Sequence, residues 1–339
     1  MRHRERNGPG ARVVAVAALA LGMMACGDSG DGSSGDLPTS APGRLTKIAD
    51  TGFASPGDAV SSPDGATFYF TAYTEGSPAQ PAVFRVPSAG GTVEALHAGT
   101  PLGYPTGLVM SCDGSTLFVA DMGITQAAEG AETPAEDEEM ELVDGSSGGL
   151  FTLATAGGAI ARLEAEGISV PTGLALGVDC RTLYVTGWDE EARPALFTLP
   201  VTGGSATVVH AGEPLSSPTG LHVDADGVAW VMDHLASTDD GEGVLFAITG
   251  DGDVTPVIGG LRMGTPGGVS LVSGGGRAVI PSLDDEGNGQ LITVEIATGE
   301  VTVVPAPDIQ DPAGLRTARQ AGVFAVVDSE GSAIWRAEH

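Results

Sequence analysis

The chain has 339 residues, a formal net charge of −29 and a single lysine, Lys47. A surface this acidic repels nucleic acid and anionic lipid head groups, so it excludes DNA and RNA as partners and favours metal cations or cationic partners. Solubility at high salt is the alternative explanation of the charge. The 52 glycines and an aromatic content of 5% indicate many short strands and tight turns and exclude a helical core.

The N-terminal segment has the features of a bacterial export signal. Residues 1–12 contain four arginines, and residues 13–24 form an apolar run that is too short to span a bilayer as a mature helix. The run ends in Met23-Met24-Ala25-Cys26, which resembles a bacterial lipobox, where the cysteine is lipidated and becomes the mature N-terminus. We expect a signal peptide over 1–25 and lipidation of Cys26; a plain signal peptide with an incidental cysteine is the alternative. Residues 26–43 are rich in Gly, Ser, Asp and Pro and predict a flexible tether.

A Pro-x-Gly phrase recurs through the rest of the chain. It is clearest as Pro105-Thr106-Gly107-Leu108, returns with the same four residue types at 171–174 and 218–221, and has looser copies at 266–269 and 312–315. A degenerate copy lies at 55–58. Successive prolines are 46 to 49 residues apart, except for one interval of 66 residues. A period of about 40 to 50 residues, filled with short strands and glycine turns, indicates the blades of a β-propeller.

Each copy of the phrase opens a unit of four strands. In the third copy we predict strands at 171–179, 182–186, 195–200 and 206–210, separated by the glycine-rich turns that are typical of hairpins. The sixth copy ends after a third strand, and residues 44–50 match the missing fourth strand. We therefore predict one all-β domain over 44–339. It is a six-bladed β-propeller of four-stranded blades, closed by an N-terminal strand that completes the last blade and removes the open edge.

The 66-residue interval contains an acidic insertion at about 122–148. The insertion follows the second strand of its blade, so we predict an enlarged loop on one rim of the propeller. Insertions in repeat proteins collect in such loops, often on the binding face.

Two cysteines fall at the same turn of adjacent repeats, Cys112 seven residues after Pro105 and Cys180 nine residues after Pro171. A disulfide between them would join the two blades and would suit the oxidising compartment that an export signal implies. Two buried free thiols are the alternative.

The repeated pattern Pro-x-Gly-Leu, Asp-Gly and Leu-(Tyr/Phe)-Val-x-Asp resembles that of six-bladed propellers of the NHL-repeat and SMP-30/gluconolactonase (TolB-like) type. The resemblance covers about residues 44–339. It is specific for architecture and weak for activity, because this fold carries lactonases, lyases, other enzymes and plain binding modules.

The resemblance also implies where a catalytic metal would lie. The lactonase-like members hold one divalent metal at the centre of the ring through a Glu, an Asn and an Asp, and the matching positions here are Ala54, Thr172 and Thr219. A neutral threonine hydroxyl is a poor replacement for a carboxylate at a hard cation. These residues argue against a metal-dependent lactonase mechanism, in which the ion polarises a carbonyl and activates water.

Two sets of loops are expected to share one face of the propeller. The Pro-x-Gly set points Thr106, Thr172 and Thr219 toward the central channel. The residues that we match to them in the other blades are Asp58, Gly267 and Ala313. The hydroxyls would form a polar ring that holds a small ligand, or would only cap the entries of their strands.

The second set of loops, between the second and third strands, is acidic in every repeat. It contains Glu75, Asp121, Trp188-Asp189-Glu190-Glu191, Asp233-His234, Asp239-Asp240, Asp284-Asp285-Glu286 and Asp328. Such a ring would concentrate a negative potential over the channel mouth and attract a cation, calcium for instance, or a basic peptide. A solvated surface in an acidic protein is the other interpretation. Trp188 and His234 are the non-acidic candidates for ligand contact, with loop packing as the alternative for Trp188.

These features support two hypotheses. The first is an exported, lipid-anchored, monomeric module that binds a protein or small-molecule ligand, cationic in character, without catalysis. Its ligand-contact candidates are Thr106, Thr172, Thr219, Asp121, Trp188, Asp189 and Asp328. The second is a lactonase-type hydrolase or lyase with relocated catalytic groups, Asp58, Asp233 and His234, in which His234 could act as a general base. Carboxylates or a histidine that converge on one point of the channel would favour the enzyme.

Overall fold

The computed structural model describes residues 44–123, 148–236, 242–264, 266–272, 275–318 and 322–338. The predicted signal peptide, the tether and most of the predicted insertion lie outside these residues. Within the described ranges, no helix is long and apolar enough to cross a membrane.

Six antiparallel sheets of four strands form a ring, which confirms the predicted six-bladed β-propeller. After β1 (Arg44–Ala49), blade 1 contains β2 (Ala59–Ser61), β3 (Thr67–Tyr73), β4 (Pro81–Pro87) and β5 (Glu94–Ala98), and blade 2 contains β6 (Pro105–Met110), β7 (Thr116–Asp121), β8 (Gly149–Ala154) and β9 (Ala161–Leu163). After the short β10 (Ala165–Glu166), blade 3 contains β11 (Val170–Leu176), β12 (Thr182–Trp188), β13 (Pro194–Pro200) and, beyond the short β14 (Gly204–Ser205), β15 (Thr207–Ala211), and blade 4 contains β16 (Pro218–Val223), β17 (Ala229–Asp233), β18 (Gly243–Ile248) and β19 (Val254–Leu261). Blade 5 contains β20 (Ser270–Val272), β21 (Arg277–Leu283), β22 (Gly289–Glu295) and β23 (Val301–Pro305), and blade 6 contains β24 (Pro312–Thr317), β25 (Val323–Asp328) and β26 (Ala333–Glu338), with β1 as its fourth strand.

Burial decreases from the axis of the ring to its rim. Every residue of β6 and of β25 is buried, whereas the outermost strand β23 is largely exposed. The inner strands are rich in β-branched, aromatic and leucine side chains because both faces of each sheet are covered by neighbouring blades.

The hydrophobic core is divided into interfaces between blades. The described residues form six apolar clusters, and each cluster joins the facing sides of two neighbouring sheets. Between blades 1 and 2, for example, Val60 and Tyr69 pack with Leu108 and Phe151. Successive side chains of a strand point to opposite faces, so each blade contributes to two clusters and none packs alone.

The first and last described strands close the ring. Strand β1 pairs with β26 in antiparallel register, from Arg44 opposite Glu338 to Ala49 opposite Ile334. The predicted completion of blade 6 by an N-terminal strand is therefore confirmed. An apolar cluster that contains Phe70 of blade 1 and Ile334 of blade 6 fills the interface at this closure.

Blades 2 and 3 are held together by two additional contacts. The predicted disulfide is confirmed: Cys112 and Cys180 are bonded, with 5.8 Å between their Cα atoms, and they join the first turns of the two blades. Cys180 takes a left-handed conformation, with φ of 57°, where the corresponding turn of blade 2 has Gly114 with φ of 74°. In addition, β10 and β14 form a two-stranded parallel sheet between the two blades, which the sequence did not predict.

Candidate functional site

The two predicted loop sets do lie on the same face. Pro105 at the start of β6 is paired with Asp121 at the end of β7, and Pro218 is paired with Asp233 in the same way. We call this side the entry face, because each innermost strand begins there. It carries the loops that lead into the innermost strands and the loops between the second and third strands.

The three threonines of the Pro-Thr-Gly phrase are buried at the axis and join blades to one another. The Thr106 hydroxyl donates to the carbonyl oxygen of Thr172 in the next blade at 2.8 Å. The Thr172 hydroxyl donates to the Pro218 carbonyl at 2.6 Å, and the Thr219 hydroxyl lies 3.4 Å from the Gly267 carbonyl. Each hydroxyl therefore has a backbone partner in the following blade, a role that neither of our sequence interpretations named.

The glycine of the phrase is required by the close approach of the next blade. A Cβ built on Gly173 would collide with the carbonyl oxygen of Thr219, and a Cβ on Gly220 would collide with the carbonyl oxygen of Gly267. Neither glycine has a left-handed φ, so space and not backbone conformation selects the residue.

Blade 1 departs from this rule. Ala59 pairs with Phe70 in the same register as Leu108 with Val119 in blade 2, so Asp58, which precedes Ala59, takes the position of the glycine of the phrase. Our sequence match of Asp58 to the threonine position was therefore wrong. The missing close contact is replaced by a hydrogen bond, since the Leu108 amide of blade 2 donates to the Asp58 carboxylate at 2.9 Å.

A salt bridge closes the axis. The Arg316 side chain in β24 donates to the Asp58 carboxylate through Nε at 3.2 Å and Nη2 at 3.1 Å. Its Nη1 atom donates to the carbonyl oxygen of Leu221 in blade 4, on the other side of the ring, at 2.8 Å. The side chains are 12% and 6% exposed for Arg316 and Asp58. One guanidinium therefore links blades 6, 1 and 4.

These contacts use the acceptor capacity of Asp58. Besides Arg316 and the Leu108 amide, the carboxylate accepts the Ala59 amide at 2.9 Å. A carboxylate offers about four lone-pair positions, and four donors are already placed on this one. Asp58 is thus charge-balanced and hydrogen-bonded within the ring, which leaves it little capacity to act as a base or a ligand.

The aspartates at the ends of the second strands of blades 2, 4 and 6 are buried inside the entry face. Asp121 accepts the amides of Gly103 at 2.9 Å and Gly123 at 2.7 Å, and Asp233 accepts the Ser217 amide at 2.9 Å. Asp328 follows the same pattern with the Asp311 amide at 3.0 Å. These carboxylates tie the loops that enter each blade to the ends of their strands, so they do not form an exposed ring.

Burial raises the pKa of two carboxyl groups on this face, Asp121 and Asp311. It raises the pKa of Asp121, although the amide donors and the nearby Arg162 oppose the shift. Burial also raises the pKa of Asp311, and the negative charges of Asp328 and Glu330 act in the same direction. The charged form of each group is therefore less favourable in the folded protein than in the unfolded chain.

Asp189 and Trp188 lie in the corresponding loop of blade 3. The Asp189 carboxylate accepts the Arg193 amide at 2.8 Å and forms an ion pair with the Arg193 guanidinium at 2.7 Å. The hydrogen bonds and charge of Arg193 lower the pKa of Asp189, although its burial opposes them. The half-buried Trp188 pairs with Val170 and Pro194 at the end of β12.

His234 is partly buried next to Asp233. Its Nδ1 atom is buried and has no hydrogen-bond partner among the described residues. Burial lowers the pKa of its imidazole, and the negative charge of Asp233 opposes the shift. Asp58 lies in blade 1, its described partners are in blades 1, 2 and 6, and those of Asp233 are in blade 4. Asp58 therefore shares no hydrogen-bond partner with Asp233 or His234 in the described part of the chain, although Asp233 and His234 both contact the Ser217 backbone.

The residues at the implied metal positions do not fit a divalent cation. Ala54 carries no ligand atom, and the hydroxyls of Thr172 and Thr219 donate to backbone carbonyls. Among the described residues, no group of three His, Cys, Asp or Glu side chains could hold a metal ion. We therefore assign no reaction step to a metal at this place.

A cleft of about 220 Å³ opens between blades 2 and 3 near the entry face. Its walls come from β8 and β9 of blade 2, from the segment 164–168 that includes β10, and from Pro171 and Glu190 of blade 3. The sequence did not predict this cleft, because β10 and β14 are far apart in the chain and neither belongs to the repeated pattern.

Comparison with known proteins supports the fold. No family model matches the chain, and no curated protein matches it by sequence. A gluconolactonase from Xanthomonas campestris superposes with a TM-score of 0.60 at 14% identity over 89% of this chain and 96% of that chain. A protein of unknown function from Bacteroides thetaiotaomicron gives 0.59 at 16% identity over 90% and 75%. A chain of a nidogen/laminin complex gives 0.54 at 14% identity over 78% and 90%. At these identities the similarity shows the propeller fold alone.

Arg316 is the residue of the axis that sequence reasoning missed. It follows Leu315 in the Pro-x-Gly-Leu phrase, where the same position is Val109, Ala175 or Ser270 in other blades. An arginine at a position that is Val, Ala, His or Ser in the other blades was the available signal. Its partner, Asp58, is 258 residues away in the chain, and no local pattern connects the two.

Proposed function

We propose that the protein is an exported, lipid-anchored propeller that binds a cationic protein or small ligand through its entry face and catalyses no reaction. The observation that carries the proposal is the use of the polar groups at the axis. Arg316 and Asp58 pair with each other, and the hydroxyls of Thr106 and Thr172 join neighbouring blades. Groups that would converge on a substrate in an enzyme hold the ring together here.

The charge of the entry face supports a cationic partner. Exposed carboxylates on its loops are Glu75, Glu164, Glu166, Glu190, Glu191, Glu213, Asp285, Glu286, Asp308 and Glu330. The arginines exposed on the same described loops are Arg193, which is paired with Asp189, and Arg262. A surface with this imbalance attracts and orients positively charged partners.

The position of the N-terminal strand supports an orientation for the proposed anchor. Arg44 is paired with Glu338, at the end of β26 that is farther from the entry face. A tether that precedes Arg44 therefore enters the propeller on the opposite side. If lipid on Cys26 holds the chain at a membrane, this point of attachment leaves the entry face accessible to partners.

Binding is tested with the full chain carrying Cys26→Ser, titrated with a hexalysine peptide at low and moderate salt. We expect binding that weakens as salt rises, because the ion pairs are solvent-exposed. A triple variant on the entry face, Asp285→Asn, Glu286→Gln and Glu330→Gln, should bind more weakly. A matched triple on the opposite face, Asp251→Asn, Asp253→Asn and Glu300→Gln, should bind as the parent chain does. If both triple variants lost the same affinity for hexalysine, binding would depend only on the net charge of the protein, and the proposal would be contradicted.

The enzyme alternative is tested on the same preparation by hydrolysis of glucono-lactone and by calorimetry with calcium. We expect no turnover above the spontaneous rate and no heat of calcium binding. Lactone hydrolysis that disappears in an Asp233→Asn or a His234→Gln variant would overturn the non-catalytic proposal.

The anchor is tested by metabolic labelling with palmitate in a bacterial host. The parent chain should incorporate label and sediment with membranes, whereas Cys26→Ser should do neither. Label-free parent chain recovered in the soluble exported fraction would instead indicate a plain signal peptide.

A further inference from the structure

The outer strand of each blade is an edge of its sheet, and in the described part of the chain five of the six edges have features that oppose pairing with another chain. The outer strands β1, β5, β15 and β19 are each interrupted by a register shift of the kind that a β-bulge produces. Strand β9 has only three residues, and the segment after it, β10, is covered by β14. Natural sheets protect their edges by such bulges, short strands and covering segments, because an open edge offers unpaired N–H and C=O groups to other chains.

The outer strand of blade 5, β23, has none of these features. Its five residues pair with β22 in continuous register, without a bulge. No residue of the strand is charged, and Val301 and Val303 are 36% and 48% exposed. A regular, uncharged and β-branched edge of this kind is suited to the addition of another strand.

Strand β23 also lacks the cover that a neighbouring blade gives to other edges. Four other outer strands are met by the hairpin turn of the next blade, whose glycine lies beside a backbone carbonyl of the strand or of the residue that follows it: Gly90 at Ile48, Gly157 at Leu96, Gly203 at Glu164 and Gly252 at Val209. Blade 6 follows blade 5, and its third and fourth strands, β26 and β1, come from opposite ends of the described chain, so no hairpin turn joins them. Closure of the ring by β1 therefore leaves the edge of β23 open.

The backbone of β23 presents hydrogen-bonding groups along this edge. The Ala306 amide donates to the Gly289 carbonyl of blade 5 at 2.8 Å, which fixes the alternation of the strand. Because hydrogen-bonded positions alternate along an antiparallel pair, Val301 and Val303 direct their N–H and C=O groups away from β22. Among the described residues, no backbone hydrogen bond outside the sheet reaches these groups.

Two copies of this strand fit each other in antiparallel orientation. Complete overlap places Val303 opposite Val303 of the second copy, where the two residues exchange a pair of hydrogen bonds, and lets each Val301 amide donate to a Pro305 carbonyl. No charged side chain then lies opposite another, because the nearest one, Glu300, faces Ala306. A contact of this kind is isologous, as in most homodimers.

We propose that the edge of β23 is a self-association surface, through which two copies of the chain pair across a two-fold axis into a continuous eight-stranded sheet. This departs from the monomer expected from the sequence. A five-residue strand is roughly 17 Å long, so the contact is small and belongs with the weak, reversible interfaces below about 1,200 Å². The edge lies at the rim of the ring, so the dimer leaves the entry face free and does not depend on the proposed binding function.

The charge of the protein gives this dimer a distinctive dependence on salt. The chain has a formal net charge of −29, so two copies repel each other, whereas the paired strands contain no charge. Salt screens the repulsion and leaves the strand contact intact. Self-association should therefore strengthen as salt rises, in contrast to hexalysine binding at the entry face.

The first test is sedimentation equilibrium of the full chain carrying Cys26→Ser, at low and high salt. We expect a reversible monomer–dimer equilibrium that shifts toward the dimer at high salt. Val303→Lys places two like charges opposite each other and should raise the dissociation constant about tenfold. Val208→Lys is the matched control, because Val208 is also 48% exposed but lies on the bulged and covered strand β15. All these chains keep the apolar run at 13–24, so association through that run would be common to them.

The second test is cross-linking at the proposed centre of the contact. Opposite residues of a hydrogen-bonded antiparallel pair have Cα atoms about 5.5 Å apart, which suits a disulfide. In the Cys26→Ser chain, Val303→Cys should form disulfide-linked dimers under mild oxidation, and Val208→Cys should form few. Equal cross-linking of the two variants, or equal dissociation constants for Val303→Lys and Val208→Lys, would overturn the proposal. A chain that stays monomeric at high salt but binds a free peptide of residues 300–306 would assign the edge to a strand of another protein and would also overturn the dimer.

Discussion

Arg316 and Asp58 are separated by 258 residues in the chain, and their side chains meet at the axis with 3.1 Å between Nη2 and Oδ2. The pair joins the last blade to the first at the point where the innermost strands converge. Because Arg316 also reaches the Leu221 carbonyl of blade 4, the same guanidinium crosses the channel. The centre of the ring is thus stabilised by charge as well as by packing.

Removing one member of this pair should destabilise the fold. Arg316→Met leaves the Asp58 charge buried without a partner, and breaking a buried pair typically costs about 3–5 kcal/mol. Chemical denaturation should show a correspondingly lower midpoint, and the double variant Arg316→Met/Asp58→Asn should recover part of the loss. Arg85→Met, which breaks the more exposed pair with Glu94, is the control and should cost less than about 1 kcal/mol. A change at Arg316 no larger than the control would mean that the axis pair adds nothing to stability.

The glycine of the repeated phrase should not tolerate a methyl group. In Gly173→Ala the new Cβ collides with the Thr219 carbonyl, so blades 3 and 4 must separate. We expect the free energy of unfolding to fall by about 3 kcal/mol, or the variant not to fold, because the colliding Thr219 carbonyl belongs to the backbone and cannot rotate away as a side chain can. Gly250→Ala is the matched control, because a Cβ there has open space and no left-handed φ is involved. Thermal denaturation of both variants provides the comparison, and equal melting temperatures would contradict the close-approach argument.

The disulfide should contribute a measurable part of the stability of the ring. Cys112→Ser/Cys180→Ser releases a cross-link between residues 68 apart, and loss of a native disulfide typically costs about 2–5 kcal/mol. The same shift in unfolding midpoint should follow treatment of the parent chain with reductant. Cys26→Ser, which leaves the bond in place, is the control. A double-serine variant that melts with the parent would show that β10, β14 and the apolar cluster suffice to hold blades 2 and 3.

Stability should pass through a maximum at mildly acidic pH. The pKa values of Asp121 and Asp311 are raised, so the folded state takes up these protons first and gains stability as the pH falls from neutral toward about 4. The pKa of Asp113 is lowered to about 2 by hydrogen bonds in its turn, so its contribution is lost as the pH falls below about 4.

Asp311→Asn tests this dependence, because it removes one of the two carboxyl groups whose pKa is raised in the folded protein. Its unfolding midpoint should change less between pH 7 and pH 5 than that of the parent chain, because the variant lacks one group whose proton uptake makes stability depend on pH. Asp308→Asn, at an exposed neighbouring position, serves as the control. The lowered pKa of His234 acts in the opposite direction in this range but equally in both chains, so an identical pH dependence of the parent and Asp311→Asn would contradict the raised pKa of Asp311.

The architecture could be predicted from the sequence because the repeat is local. The spacing of Pro105, Pro171 and Pro218 reports one blade at a time, and the short sixth copy required a strand such as β1 to complete it. The disulfide was accessible for the same reason, since equivalent turns of adjacent blades lie side by side.

The candidate site was less accessible because its chemistry depends on contacts between blades. The pattern placed Asp121, Asp233 and Asp328 correctly at the ends of their strands, but it could not show that loop amides surround them. Nor could it show that the Thr172 hydroxyl is directed to the next blade. Residue type reports a capacity to bind, and only the fold reveals whether that capacity is already used inside the protein.

The pairing of β1 with β26 also bears on biosynthesis. Strand β1 has its partner β26 almost 290 residues later in the chain, so blade 6 and the seam with blade 1 cannot form until β26 has been synthesised. A product that stops before β26 would leave the edge of β1 and the apolar surface around Phe70 and Phe84 uncovered. Quality-control proteases could therefore distinguish a finished molecule from a truncated one by this seam.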